Sequence, residues 1–346
     1  MRFRVRARTV RDMQRKPPMP TLQRRTLLHA TTSACAALAL GSTVGPLRAQ
    51  SKLAAKLNIV IPAASRSSLD LFGRALGDAL VVTGLTDEIG YENKDEKGGM
   101  AALAYFNENF ANDPNAFFVA DTSLAGTLAV QKSALNLTLL QPVARLVSDA
   151  MVIAVASASP LRTITDLTER LRSGQKSTPI AIGAPGSVDH VLAGRLHKAG
   201  NGKPEDGVYS HFVRGFEMME AVLSGKAVAG IASYSLFHEE LASGKLRALG
   251  IASARSVHGV RSLREQGLDL EASNARTVFT GKGVAAARQT KMVESVRSAL
   301  AYELWKKSLR QNYWDASWLA GPDLGLSIDL EMKTAQLMVQ LLKLKA

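Results

Sequence analysis

Cysteine is almost absent from this chain. The one cysteine, Cys35, lies within the first fifty residues, and none follows it. Residues 50–346 therefore hold no disulfide, no thiolate zinc site and no cysteine nucleophile. Catalytic signatures are missing as well. No Gly-x-Ser-x-Gly elbow, no P-loop and no Gly-x-Gly-x-x-Gly after a strand is present. His238-Glu239-Glu240 lacks the second histidine of a zinc helix. Asp189-His190 near a serine imitates a nucleophile–base pair, but residues this common pair by chance. No cofactor and no metal is expected, and a hydrolase is the weakest reading. Internal repeats and low-complexity tracts are absent too.

Apolar runs are short. The stretch from Thr26 to Val44 is interrupted by Thr, Ser, His and Gly, which argues against a transmembrane anchor. It follows nine Lys and Arg residues between Arg2 and Arg25 and ends in Leu47-Arg48-Ala49-Gln50. A basic stretch, an apolar core and a small-residue cleavage site together read as an export signal over residues 1–49, with delivery to the periplasm. Arg24-Arg25 before Thr-Leu-Leu leaves twin-arginine and Sec export both open, and Met13 or Met19 remains an alternative start. Thr32 stands where a lipobox carries Leu, which disfavours lipid attachment at Cys35. Residues 1–49 hold ten basic residues and one acid, so they supply +9 of the formal +13 and leave +4 for the remainder. Nucleic acid is thereby not expected as a partner. A modest basic surplus suits a small anion.

What is present is alternation of strand and helix. Leu57 to Pro62, Ile89 to Tyr91 and Ala116 to Ala120 read as strands. Leu69 to Val82 and Met100 to Asn109 read as helices between them. Val143 to Val147 and Met151 to Ala156 read as two further strands. Thr163 to Arg172 and Val188 to Ala199 are helical, on either side of a strand from Pro179. Tyr209 to Ser253 reads as strand, loop, helix, strand, helix, strand, with Met218, Met219, Val222 and Leu223 on one helix face. Two helices, Arg288 to Tyr302 and Ser327 to Leu344, close the chain. The pattern implies an α/β fold of two lobes, each a mostly parallel sheet flanked by helices. Residues 51–155 with 275–346 form the first lobe and 156–274 the second. A ligand is expected in the cleft between them, at the carboxyl ends of the strands.

The loops at those ends carry the candidate site. Ser65, Arg66, Ser67 and Ser68 precede a helix whose amino end favours an anion, and Arg66 suits a carboxylate. Asp70 orients this loop or accepts from a ligand. Thr122, Ser123 and Ser187 follow strands, each as a ligand donor or a plain helix cap. Arg214 is the best-placed second charge, or else a surface partner of Glu217. Ser233 completes the set.

Ordered motifs carry a resemblance. They are Ile61-Pro62 with the loop to Asp70 and Arg74, Glu92-Asn93-Lys94 with Gly98-Gly99, Pro142-Val143-Ala144, Gly183 to Ala193 with His190-Val191-Leu192-Ala193, Arg214-Gly215 with Leu223-Ser224-Gly225, and Gly244-Lys245-Leu246-Arg247-Ala248-Leu249. In order and spacing the chain resembles the tripartite tricarboxylate transporter substrate-binding proteins, the Bug family, of the type 2 periplasmic binding fold. The resemblance covers almost all of residues 50–346. It implies a monomer that captures a small carboxylate and hands it to a membrane permease of that transporter type, or to a sensor receptor. Serines and Arg66 replace the glycines usual in the first loop. Ala232-Ser233-Tyr234 stands where an acid and Asn are frequent. Both departures bear on ligand identity.

Overall fold

A computed structural model describes residues 52–346 of the chain. The export signal expected over 1–49 lies outside the described residues. The elements run in order β1 (Lys56–Ile61), α1 (Ser68–Val82), β2 (Glu88–Asn93), α2 (Met100–Asn109), β3 (Ala116–Asp121), α3 (Thr122–Val130), β4 (Leu140–Ala156), α4 (Ile164–Ser173), β5 (Ile180–Ile182), α5 (Val188–Ala199), β6 (Tyr209–His211) and α6 (Gly215–Leu223). They continue with β7 (Ala229–Ser233), α7 (Tyr234–Ala242), β8 (Leu246–Ile251), β9 (Ser273–Gly281), α8 (Ala286–Ala299), α9 (Glu303–Gln311), β10 (Asp315–Ala320) and α10 (Pro322–Leu341).

The strands lie in the order β2-β1-β3-β9-β4-β7-β5-β6, with β8 and β10 also on β4. β1 pairs in parallel with β2 and β3, and β5 in parallel with β6 and β7. The centre is antiparallel, because β4 and β9 run against their neighbours. β4 joins the two halves. Its residues 140–150 pair with β9 and β10, and Met151–Ala156 pair with β7 and β8. The two strands expected at Val143–Val147 and Met151–Ala156 are therefore one. Ser148 and Asp149 between them imitate a break, yet pairing with Ala275 and Asn274 carries the backbone straight through.

Side chains alternate across each strand and fill two cores in each half. Ile59, Ile61, Phe117 and Val119 pack under α1, α8 and α9, while Val60, Phe118 and Ala120 face α2, α3 and α10. Phe72 sits edge-on between Trp305 and Trp314, with ring centroids 6.2 and 6.1 Å away. In the second half Ile153, Ile180 and Ile231 pack against α4 and α5, and Val152, Ala154 and Ala232 against α6 and α7. Burying each such side chain contributes about 1.5–3 kcal/mol, which makes each half a rigid platform for its loops. Among the described residues no helix is long and apolar enough to cross a membrane.

Candidate functional site

The loop after β1 is held by its own acid. Ser67 caps α1 and its hydroxyl accepts from the Asp70 N–H at 3.2 Å. Asp70 is buried. It accepts from the Arg66 N–H at 2.7 Å, from Asn93 Nδ2 at 3.0 Å and from Arg74 Nε at 3.0 Å. Burial alone raises its pKa, but the Arg74 guanidinium and these hydrogen bonds prevail and hold the carboxyl below its ordinary value. Arg66 takes a left-handed backbone, φ 66°, with its side chain exposed, and Ser65 is exposed beside it. Gly99 lies against Pro62, where a Cβ would stand 2.7 Å from the Pro62 carbonyl oxygen. That approach and its φ of 88° explain the glycine.

The two halves meet at the helix amino ends. Ser68, first in α1, places its hydroxyl 3.2 Å from that of Ser235 in the first turn of α7. Ser235 donates its hydroxyl to Asp149 Oδ2, and Arg276 donates from Nη2 to Ser68 Oγ and, at 2.9 Å, to Asp149 Oδ2. Arg276 and Asp149 are 1% and 0% exposed. Burial pushes the Asp149 carboxyl up, against the pull of Arg276. Nearby, Asn274 Nδ2 donates to Asp121 Oδ2 at 2.8 Å, and burial also raises Asp121. The Thr122 hydroxyl accepts from the Ala275 N–H at 3.2 Å, which ties the start of α3 to β9.

A second meeting point joins α3 to the loop before α5. The Val188 N–H donates to Ser123 Oγ at 3.3 Å. Gly126 and Gly186 touch through backbone, so that a Cβ on either would collide with the carbonyl of the other. Gly98 packs on Thr127 and Ala184. Ser187 is buried and donates to the Ala184 carbonyl at 2.6 Å and to Asp189. On another side Tyr313 packs against Tyr234 and His258, at 5.3 and 5.4 Å between ring centroids.

The structure thus brings Ser68, Ser123 and the Ser187 loop to the contacts between the halves, leaves Thr122 tied to β9 within the first half, and has Ser67 and Asp70 shape the first loop. Ser233 is buried under α7, its hydroxyl 3.7 Å from Met151 Sδ. Arg214 stands apart, 59% exposed and 3.5 Å from Glu217. Open surface cavities of about 850 and 530 Å³ lie elsewhere on the second half, and neither is lined by Ser68, Asp149 or Arg276. Sequence reasoning missed Asp149, Asn274 and Arg276 and assigned no role to Asp121, while the Ser233-Tyr234-Ser235 loop was legible as polar chemistry suited to an anion. The available signal was an Arg and an Asp inside strand-like apolar segments, where a charge needs a partner.

Comparison with known proteins places this geometry. Residues 84–338 match the family model of the tripartite tricarboxylate transporter family receptor, TctC. Among solved structures, a TctC solute-binding protein from Polaromonas aligns at 18% identity and TM-score 0.63, over 82% of this chain and 98% of that one. MatC from Rhodopseudomonas palustris, with bound malate, aligns at 19% identity and TM-score 0.71, over 82% and 98% of the two chains. R. palustris Rpa4515 with adipate aligns at 15% identity and TM-score 0.76, over 84% and 98%. No curated protein sequence matches. At these identities the structures establish the shared fold, and the family model covers well over half of the chain.

Proposed function

Since the chain belongs to the tripartite tricarboxylate transporter family of receptors, we propose that it captures a small carboxylate solute between its two halves and presents it to a permease of that transporter type. The observation that carries this reading is the meeting of helix amino ends from both halves at Ser68–Ser235 and Ser123–Val188. Orphan N–H groups and the helix dipoles there favour a negative charge. Closure takes an anion out of water, so hydrogen bonds from both sides must replace its hydration. Residues 51–155 with 275–346 serve as one lobe and 156–274 as the other. β4 crosses between them and the chain returns at the start of β9, and the hinge is assigned to Ala150 and Met151, where β4 changes partners. Ser68, Ser123 and Ser187 line the closed seam, and Arg66 is exposed on the first loop beside it. The malate and adipate held by relatives fit the same solute class. The exported chain acts as a monomer in the periplasm.

Thermal unfolding of the exported chain with malate, succinate, adipate, amino acids and neutral sugars tests the reading. A solute at a hundredfold excess over its Kd adds about 2.7 kcal/mol and raises Tm by several degrees. A rise with carboxylates and not with sugars is expected. A rise with sugars alone, or with no compound, overturns the carboxylate-receptor reading.

A further inference from the structure

Arg276 is a charge inside a β-strand. It lies in β9 beside the core residues Val278 and Phe279, and its side chain is 1% exposed. Only Nη2 is used, toward Ser68 and Asp149. Nε and Nη1 are buried with no hydrogen-bond partner among the described residues. The guanidinium stacks 4.7 Å above the Trp314 ring, and Trp314 Nε1 is likewise buried without an acceptor. Leaving such donors unsatisfied is costly, and more so where the group is charged. Arginine has no route out by deprotonation. Pairing with Asp149 needs Nη2 alone, and a buried ion pair is a weak source of stability. Donors kept in this state belong where something other than the chain accepts from them.

Their position fits a binding floor. Ser68 from one half and Ser235 from the other meet at the guanidinium, and this is a contact that parts when the halves separate. Asn274 precedes Arg276 by two residues on β9, so both project from the same face of the strand. Asn274 Oδ1 is a buried acceptor without a donor, and its Nδ2 is taken by Asp121. One face thus offers unsatisfied donors at Arg276 and an unsatisfied acceptor at Asn274.

We propose that Arg276 anchors the solute's carboxylate through Nε–H, with Nη2 completing the bidentate edge as Ser68 moves away, and that Asn274 with Asp121 receives a hydroxyl or ammonium group on the same solute. The inference rests on the carboxylate-receptor reading and narrows it to hydroxy- and amino-carboxylates. Asp149 is then the counter-charge that positions the guanidinium. The Ser68 and Ser235 hydroxyls close over the bound carboxylate.

Calorimetric titration of the exported chain with L-malate, L-aspartate and succinate tests this, on the wild type, Arg276→Gln and the double variant Asp149→Asn/Arg276→Gln. Both charges leave together in the double variant, so it avoids the unpaired buried carboxylate of the single one. Malate or aspartate is expected to bind at least tenfold more tightly than succinate. The double variant is expected to lose at least a hundredfold in affinity while its ligand-free melting stays within a few degrees of wild type. Affinity in that variant within threefold of wild type overturns the anchor and leaves the receptor reading intact. Equal binding of succinate overturns the role of Asn274. Wild-type failure to bind any carboxylate defeats the receptor reading itself, and the anchor with it. One further measurement needs no variant: arginine Nε–H resonances of the wild type must move on saturation with malate, and an unchanged spectrum overturns the anchor.

Discussion

Asp70 accepts hydrogen bonds from Arg66, Arg74 and Asn93, and in doing so it sets the shape of the first loop. Serines at 67 and 68 are legible as donors because a helix amino end needs oxygen there, but the cap is Ser67 rather than Ser68. The side chain of Arg66 was not legible. Its left-handed backbone directs the N–H into Asp70 and leaves the guanidinium in solvent. Arg214 with Glu217 at i+3 is the exposed surface pair that its spacing also allows, and such pairs contribute little. Asp70→Ala removes a buried acceptor with several partners and is expected to cost about 2 kcal/mol of stability. The pH sign follows from its lowered pKa. The folded state releases the Asp70 proton more readily than the unfolded state, so this stabilisation is complete above the ordinary value of 3.8 and fades as pH falls below it. Urea unfolding of wild type and variant at neutral pH and at about pH 3 checks this. A difference that stays constant or grows in acid contradicts the ion-pair account of the loop.

Periodic elements were the legible ones. Helix α2 and helix α5 fall where their patterns place them, and β1, β3 and β7 lie within a residue or two of their apolar runs. α3 was not legible, because Leu124, Ala125, Leu128 and Val130 are buried beside Gly126 and Thr127 and leave no polar face to set a period. β9 was hidden by Asn274 and Arg276, polar residues that interrupt its apolar pattern. α9 and β10 were lost behind a helix read to Tyr302, whereas α8 stops at Ala299. The contact between α3 and the loop before α5 gives an element-scale test. Gly126→Ala inserts a methyl where the Gly186 carbonyl already sits. Overpacking of this kind costs about 1–3 kcal/mol. That cost falls on closure rather than on either platform, since Gly126 and Gly186 lie in different halves. Solute affinity is expected to fall about tenfold, the equivalent of 1.4 kcal/mol, with a larger radius of gyration at saturation by X-ray scattering. Unchanged affinity and radius would falsify this contact as part of the closed state.

At the scale of the whole molecule, β4 runs through both halves, each half has its own principal cores, and Val130, Leu342 and Leu344 pack with Val191 across them. The architecture was legible because alternating apolar runs set the elements, whereas Asp149 and Arg276 are single charges inside strands whose pairing no spacing reports. The same organisation sets how the protein meets acid. His190 and His197 on α5 are buried inside the second half. Gly186 N–H donates to His190 Nδ1 and Gln175 Nε2 to His197 Nδ1, so both rings are neutral acceptors. Burial drives His190 down to about 3, helped by His211, and His197 down to about 4. The unfolded chain takes up these protons first, so stability is present above the ordinary value of 6.5 and is lost as pH falls below it. At pH 5 the loss is about 2 kcal/mol for each ring. The buried Asp121, Asp149 and Asp189 act in the opposite sense, since burial raises their pKa and folded-state protonation relieves that cost in acid. A comparison at fixed carboxylates therefore isolates the histidines. His190→Asn with His197→Asn keeps an acceptor near each Nδ1 position and removes the titration. Between about pH 7.5 and pH 5 the urea midpoint of the wild type is expected to fall by the equivalent of about 4 kcal/mol more than that of the double variant. Equal pH dependence in the two proteins would mean that neither ring is buried neutral in the folded state.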